Sequence, residues 1–215
     1  MSDQAAFQEV DDAVRQDDLT AWWKRWGSWV VGAAVLAVVV VAGMVGWRQY
    51  DAAQRSAAGE LYSAALAKIG SDNAGARAAL EKQAVSAVEP YRSLAALAAA
   101  QLLATPVEQV DALLTVAPKL PSTELSDLAK VIAGFRGLDT PKSAETIAVL
   151  GPLATPERPF HSSVLELQAL AALRQGDLKK ARELWGEIAK DPGAPQGAAQ
   201  RAQALLNLYV AVEAK

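Results

Sequence analysis

The chain has 215 residues, 52% hydrophobic and 21% charged, with alanine the commonest. Its formal charge is −3 and its pI about 5.3, which argues against nucleic acid as a partner, because phosphate binding needs clustered Lys and Arg. The absence of cysteine excludes a disulfide framework, a thiolate nucleophile and a cysteine-based metal site.

In chain order, the first feature is a short acidic tail in which Phe7, Val10 and Val14 share one helical face. Asp17 or Asp18 can cap a second helical stretch, where Leu19, Trp22, Trp23 and Trp26 recur at helical spacing. Such a stretch suits a bilayer surface or a small partner helix. Residues 27–47, GSWVVGAAVLAVVVVAGMVGW, then carry no charge. At about 1.5 Å per residue they span roughly 30 Å, the thickness of a hydrocarbon core. Arg25 and Arg48 bracket the run, and Trp22, Trp23, Trp26 and Trp29 on one side face Trp47 and Tyr50 on the other. Indole and phenol rings at both ends form an aromatic belt. A buried core helix would be shorter and differently flanked. A cleaved signal peptide would have a shorter apolar stretch and a small-residue cleavage site, whereas Gly46-Trp47-Arg48-Gln49-Tyr50 is a poor one. The run is therefore read as an uncleaved signal anchor. Arg15, Lys24 and Arg25 outnumber Arg48 and Arg55, which favours a cytoplasmic N-terminus. Ala33/Ala37 and Ala42/Gly46 have the small-residue spacing that permits close helix approach, hence a homodimer.

Beyond Arg48 the pattern is helical throughout. Residues 48–69 continue the anchor, with Leu61, Ala65 and Ile69 on one face, until Gly70-Ser71-Asp72-Asn73 breaks the helix. Further helices are predicted over 74–88, 91–104, 106–117, 123–136, 140–153, 160–175, 178–190 and 196–213. Thr105-Pro106-Val107-Glu108 reads as a capping box with Pro at the first helical position, and Thr140-Pro141 as another helix start. The first helices of successive pairs begin near 57, 91, 123, 160 and 196. A repeat near 34 residues in helix–turn–helix units is the tetratricopeptide arrangement. The expected fold is all-α: a single transmembrane helix followed by a tetratricopeptide-like α-solenoid. Residues 1–26 form the tail and juxtamembrane segment, 27–47 the membrane span and 48–215 the repeat domain. The best-formed unit is the last. Its Ala169 and Ala181 are small enough for close helix packing, and Trp185 supplies a core wedge.

No catalytic constellation emerges. His161, the only histidine, is expected to cap a helix or lie on the surface, since one His cannot hold zinc by itself. No phosphate loop and no nucleophile elbow are present, and the acidic pairs Asp11-Asp12 and Asp17-Asp18 suit solvation. Neither a cofactor nor a metal is expected, and the chain is read as a binding module. In a stack of helix pairs the first helix of each lines the concave side. Leu165 and Ala172 then fall on the buried side of the helix at 160–175, and Glu166, Leu170, Leu173 and Arg174 lean toward a protein-binding groove. Leu170 and Leu173 would equally serve to pack on the neighbouring pair.

The run ending in Gly46-Trp47-Arg48-Gln49-Tyr50, followed by Ser56, Tyr62 and Ala65-Leu66, resembles the ancillary SecYEG translocon subunit family. So do Gly176-Asp177, Ala181-Arg182, Trp185, Asp191-Pro192-Gly193-Ala194-Pro195 and Arg201-Ala202. The resemblance implies a bacterial inner-membrane protein with a periplasmic C-terminal domain. Its implied partners are the Sec translocon and periplasmic folding factors or emerging chains. A self-associating envelope or division scaffold, paired through Ala42 and Gly46, is the alternative.

Overall fold

The computed structural model describes the backbone of residues 3–213 and the side chains of residues 22–209. Phe7, Val10, Val14 and Leu19 therefore have side chains outside the described residues. All regular structure among the described residues is helical: α1 (Asp3–Leu66), α2 (Asn73–Ser86), α3 (Tyr91–Gln101), α4 (Pro106–Val116), α5 (Thr123–Gly137), α6 (Ser143–Leu150), α7 (His161–Arg174), α8 (Leu178–Lys190) and α9 (Gln196–Glu213). Short 3-10 turns follow α4 at Ala117–Lys119 and α6 at Gly151–Leu153. The chain divides into two compact units, 1–56 and 57–215.

The first unit is a single helix. The expected break at Asp17 or Asp18 does not occur; α1 runs through both residues. One helix among the described residues is long and apolar enough to cross a membrane, and its most apolar window reaches a mean hydropathy of 2.5 with none of it buried in the chain. Trp29, Leu36, Val38 and Trp47 are each 64–75% exposed. A core helix would hide such side chains, so this segment is no core helix of this chain.

The second unit is built of helix pairs. Residues 57–66 of α1 meet α2, where Gln83 Nε2 donates to Ala58 O; α3 packs with α4, α5 with α6, and α7 with α8; α9 closes the series. First helices start at Tyr91, Thr123, His161 and Gln196, close to the expected positions. The local chemistry explains the boundaries. Asp72, Ser122 and Asp177 accept hydrogen bonds from the amides of Gly75, Leu125 and Lys180, each satisfying a donor at a helix start. Thr105 and Glu108 form the expected capping box. At the end of α7, Asp177 N–H reaches Ala172 O and Gly176 N–H reaches Leu173 O, with Gly176 at φ 82°. That is a Schellman ending, whose left-handed residue glycine takes without steric cost.

Three expectations are corrected. First, Ala58 and Ala65 are buried with Tyr62 half-buried beside them, whereas Leu61 and Ile69 are exposed. The inward stripe is set by small residues that admit α2 and α3. Second, α6 begins at Ser143 because Thr140 Oγ1 donates to Gly137 O and accepts from Lys142 N–H, closing a turn instead of a helix. Third, α3 stops at Gln101, short of residue 104.

Among the described residues the core is four small clusters in series, each shared by three consecutive helices. Ala65, Leu80, Ala95 and Ala99 form the first, and Leu97, Ala100, Leu113 and Ala129 belong to the second. Val131, Leu150, Val164 and Leu167 anchor the third, and Leu165, Ala169, Ala181 and Trp185 the fourth. α3, α5 and α7 each feed two clusters from two flanks, while α2, α4, α6 and α8 each feed one. This is the quasi-one-dimensional energetics of a solenoid, in which every repeat touches only its neighbours.

Candidate protein-interaction surface

The four residues singled out on α7 share neighbours that their spacing does not reveal. Leu170 is half-buried between the third and fourth clusters, and Leu173 packs on the fourth. Glu166 is held by Arg201 of α9 through two parallel hydrogen bonds of 3.0 and 2.8 Å. The Glu166 side chain is only 12% exposed, so its charge is satisfied within the repeat stack. Arg174 Nε donates to Asp139, just beyond α5, at 2.7 Å. Leu165 and Ala172 are buried, as expected.

These pairs belong to a series. Asp111 binds Lys142 at the start of α6, and Asp127 of α5 binds Arg158 ahead of α7 at 3.0 Å. The sequence separations are 31 for these two and 35 for Asp139–Arg174 and Glu166–Arg201. In each case a carboxylate meets a cation about one repeat later. The hydrogen bond to Asp111 raises the pKa of Lys142, and that to Glu166 raises the pKa of Arg201. Asp127 is 2% exposed and also has Lys130 at 3.5 Å, so a buried carboxylate is matched by two cations. Composition gives no hint of it. Acid–base spacing near the repeat period was the available signal.

In the first cluster the Tyr62 ring lies 5.9 Å from that of Tyr91 on α3; burial raises the Tyr62 pKa. His161 is buried, at 7% exposure, with Nδ1 unpartnered and no capping bond, contrary to the expected capping or surface role. α7 is flanked by two clusters, so even its first turn is covered. Among the described residues no group of three or more His, Cys, Asp or Glu side chains could hold a metal ion.

The profile of the tetratricopeptide repeat-like domain family matches residues 20–207. The chain belongs to that family. The match begins at Thr20, so it takes in the apolar run as well as the helix pairs. No curated protein and no solved structure matches the chain. Tetratricopeptide repeat-like domains are protein-interaction scaffolds. The ion-pair ladder and the serial clusters hold the repeats of this one in register.

Proposed function

We propose that the chain is a membrane-anchored protein-binding module, an ancillary subunit of the Sec translocon that links it to periplasmic folding factors or emerging chains. The observation that carries the anchor is the wholly unburied apolar stretch of α1, with rings at both ends and a tetratricopeptide repeat-like domain following in the same chain. The excess of Arg15, Lys24 and Arg25 over Arg48 and Arg55 supports a cytoplasmic N-terminus and a periplasmic repeat domain, with boundaries near residues 26 and 47. The anchor acts by holding the repeat surface at high effective concentration near a membrane-bound partner. The Sec assignment rests on the sequence resemblance alone.

The α7 face is the part of this surface assigned to the partner. Leu170 and Leu173, hemmed by the Glu166–Arg201 and Arg174–Asp139 pairs, offer an apolar strip between fixed charges. That composition suits an extended, partly apolar segment. A scaffold that pairs through its anchor is the second reading. It is favoured by a shallow apolar groove on α1 lined by Ala37, Ala42 and Gly46, together with Val38, Val41 and Val45.

Photo-crosslinking in intact membranes tests both. Crosslinks from the repeat domain to translocon subunits or folding factors support the proposal. Self-crosslinks through the anchor, with no heterologous product, would replace it by the scaffold.

A further inference from the structure

Four inter-repeat ion pairs among the described residues consume Lys142, Arg158, Arg174 and Arg201, leaving their charges neutralised within the stack. α8 is different. Lys179, Arg182, Glu183, Gly186 and Lys190 follow one another at helical spacing along one of its faces, and with Leu206 of α9 they line a groove of about 590 Å³. Lys179 and Lys190 are exposed and make no ion pair among the described residues. Two exposed cations, Lys179 and Lys190, and the Glu183 carboxylate thus face this groove in a chain whose formal charge is −3. A side chain built at Gly186 would meet nothing within 4 Å, so the absence of one deepens the groove rather than accommodating a neighbour. The opposite face of α8 is the core stripe of Ala181, Leu184, Trp185 and Ile188, which fixes the helix rigidly beneath these charges.

We infer that the α8–α9 groove docks an acidic segment of a protein partner, its carboxylates on Lys179 and Lys190 and an apolar side chain over Gly186 against Leu206. Charge complementarity selects the occupant: a negative segment is attracted here and repelled by the acidic remainder of the chain. A concave groove of this volume with an apolar wall fits a chain segment better than a plane of lipid headgroups. The inference rests on the protein-binding reading above, but it concerns a face distinct from the α7 residues.

The test uses the full chain in detergent micelles and fluorescence anisotropy of a short labelled peptide of Glu and Leu, with a Lys and Leu counterpart as control. Lys179→Glu with Lys190→Glu is expected to weaken binding by about tenfold, as reversal of two contact charges allows, and added salt should weaken the native complex. Gly186→Leu fills the groove without changing charge and should weaken binding comparably. Lys180→Glu, outside the groove, should change it less than about twofold. Equal binding of the Lys and Leu peptide would overturn the inference. So would unaltered affinity in Gly186→Leu, whose open surroundings keep it folded even if the double variant is not. Tighter, equally variant-sensitive binding to phosphatidylglycerol vesicles would also overturn it, in favour of a lipid surface. Translocon crosslinks that persist in Gly186→Leu while peptide binding never responds would sink this groove alone and leave the broader reading standing.

Discussion

Trp185→Ala is the sharpest probe of how this domain is held together. The indole is completely buried, belongs to a cluster contributed by α7, α8 and α9, and stacks on Tyr209 at a centroid distance of 5.6 Å and 17° between planes. Truncation removes the largest wedge in that cluster and leaves a cavity lined by three helices that relax only in part. The expected cost is about 3–5 kcal/mol. For a cooperative domain of this size that corresponds to a melting temperature lower by about 6–20 °C. A solenoid distributes the damage unevenly, because each cluster belongs to three helices only. Hydrogen exchange on the full chain in detergent should therefore show protection falling in α8 and α9 while α2 and α3 keep theirs. Trp185→Phe should cost less, since Nε1 has no hydrogen-bond partner to lose and the ring stack survives. An unchanged melting temperature in Trp185→Ala, or an equal loss of protection in all helices, would refute the serial-core argument.

Gly134→Ala should destabilise the domain by about 1–3 kcal/mol, because the new Cβ would come within 2.7 Å of Leu150 Cδ1 and 2.8 Å of Leu167 Cδ1; chemical denaturation measures it. A double-mutant cycle on Glu166→Ala and Arg201→Ala should return a coupling of about 0.5–1 kcal/mol that shrinks with salt, and a coupling of zero would remove the pair from the register argument. Stability should fall as pH rises past 10. The Tyr62 pKa is raised above 10.0 by burial, so the unfolded chain loses the phenolic proton before the folded one does. Lys142, raised above 10.5 by its hydrogen bond to Asp111, acts in the same sense, its contribution being fully present below that value. Thermal melts from about pH 8 to about pH 11.5, roughly one to two units either side of an ordinary phenol, check this, with Tyr62→Phe and Lys142→Met each flattening the alkaline decline.

Much of this architecture is written locally. The run at 27–47 carries no charge over its whole length, and nothing in the fold is needed to see it. Helix ends were equally legible wherever one side chain or one glycine does the work, as at Thr105 and Glu108, or Gly176 and Asp177. α8 was read correctly to its last residue because it is buried on one side only, so its apolar period is clean. Small residues make the inward stripe at the end of α1, so period alone cannot say that Ala65 points inward while Leu61 does not. α3, α5 and α7 are covered on two flanks by different clusters, and their apolar positions crowd most of the circumference. For the same reason the sequence points to a capping or surface role for His161, which is buried. The charge ladder lay further from view. Asp127 and Arg158 are unremarkable in sequence, and only stacking one repeat on the next brings residues 31 to 35 positions apart into contact. Local chemistry is carried by near neighbours along the chain, whereas burial and ion pairing depend on which repeat lies alongside, and that is settled only when the helices pack.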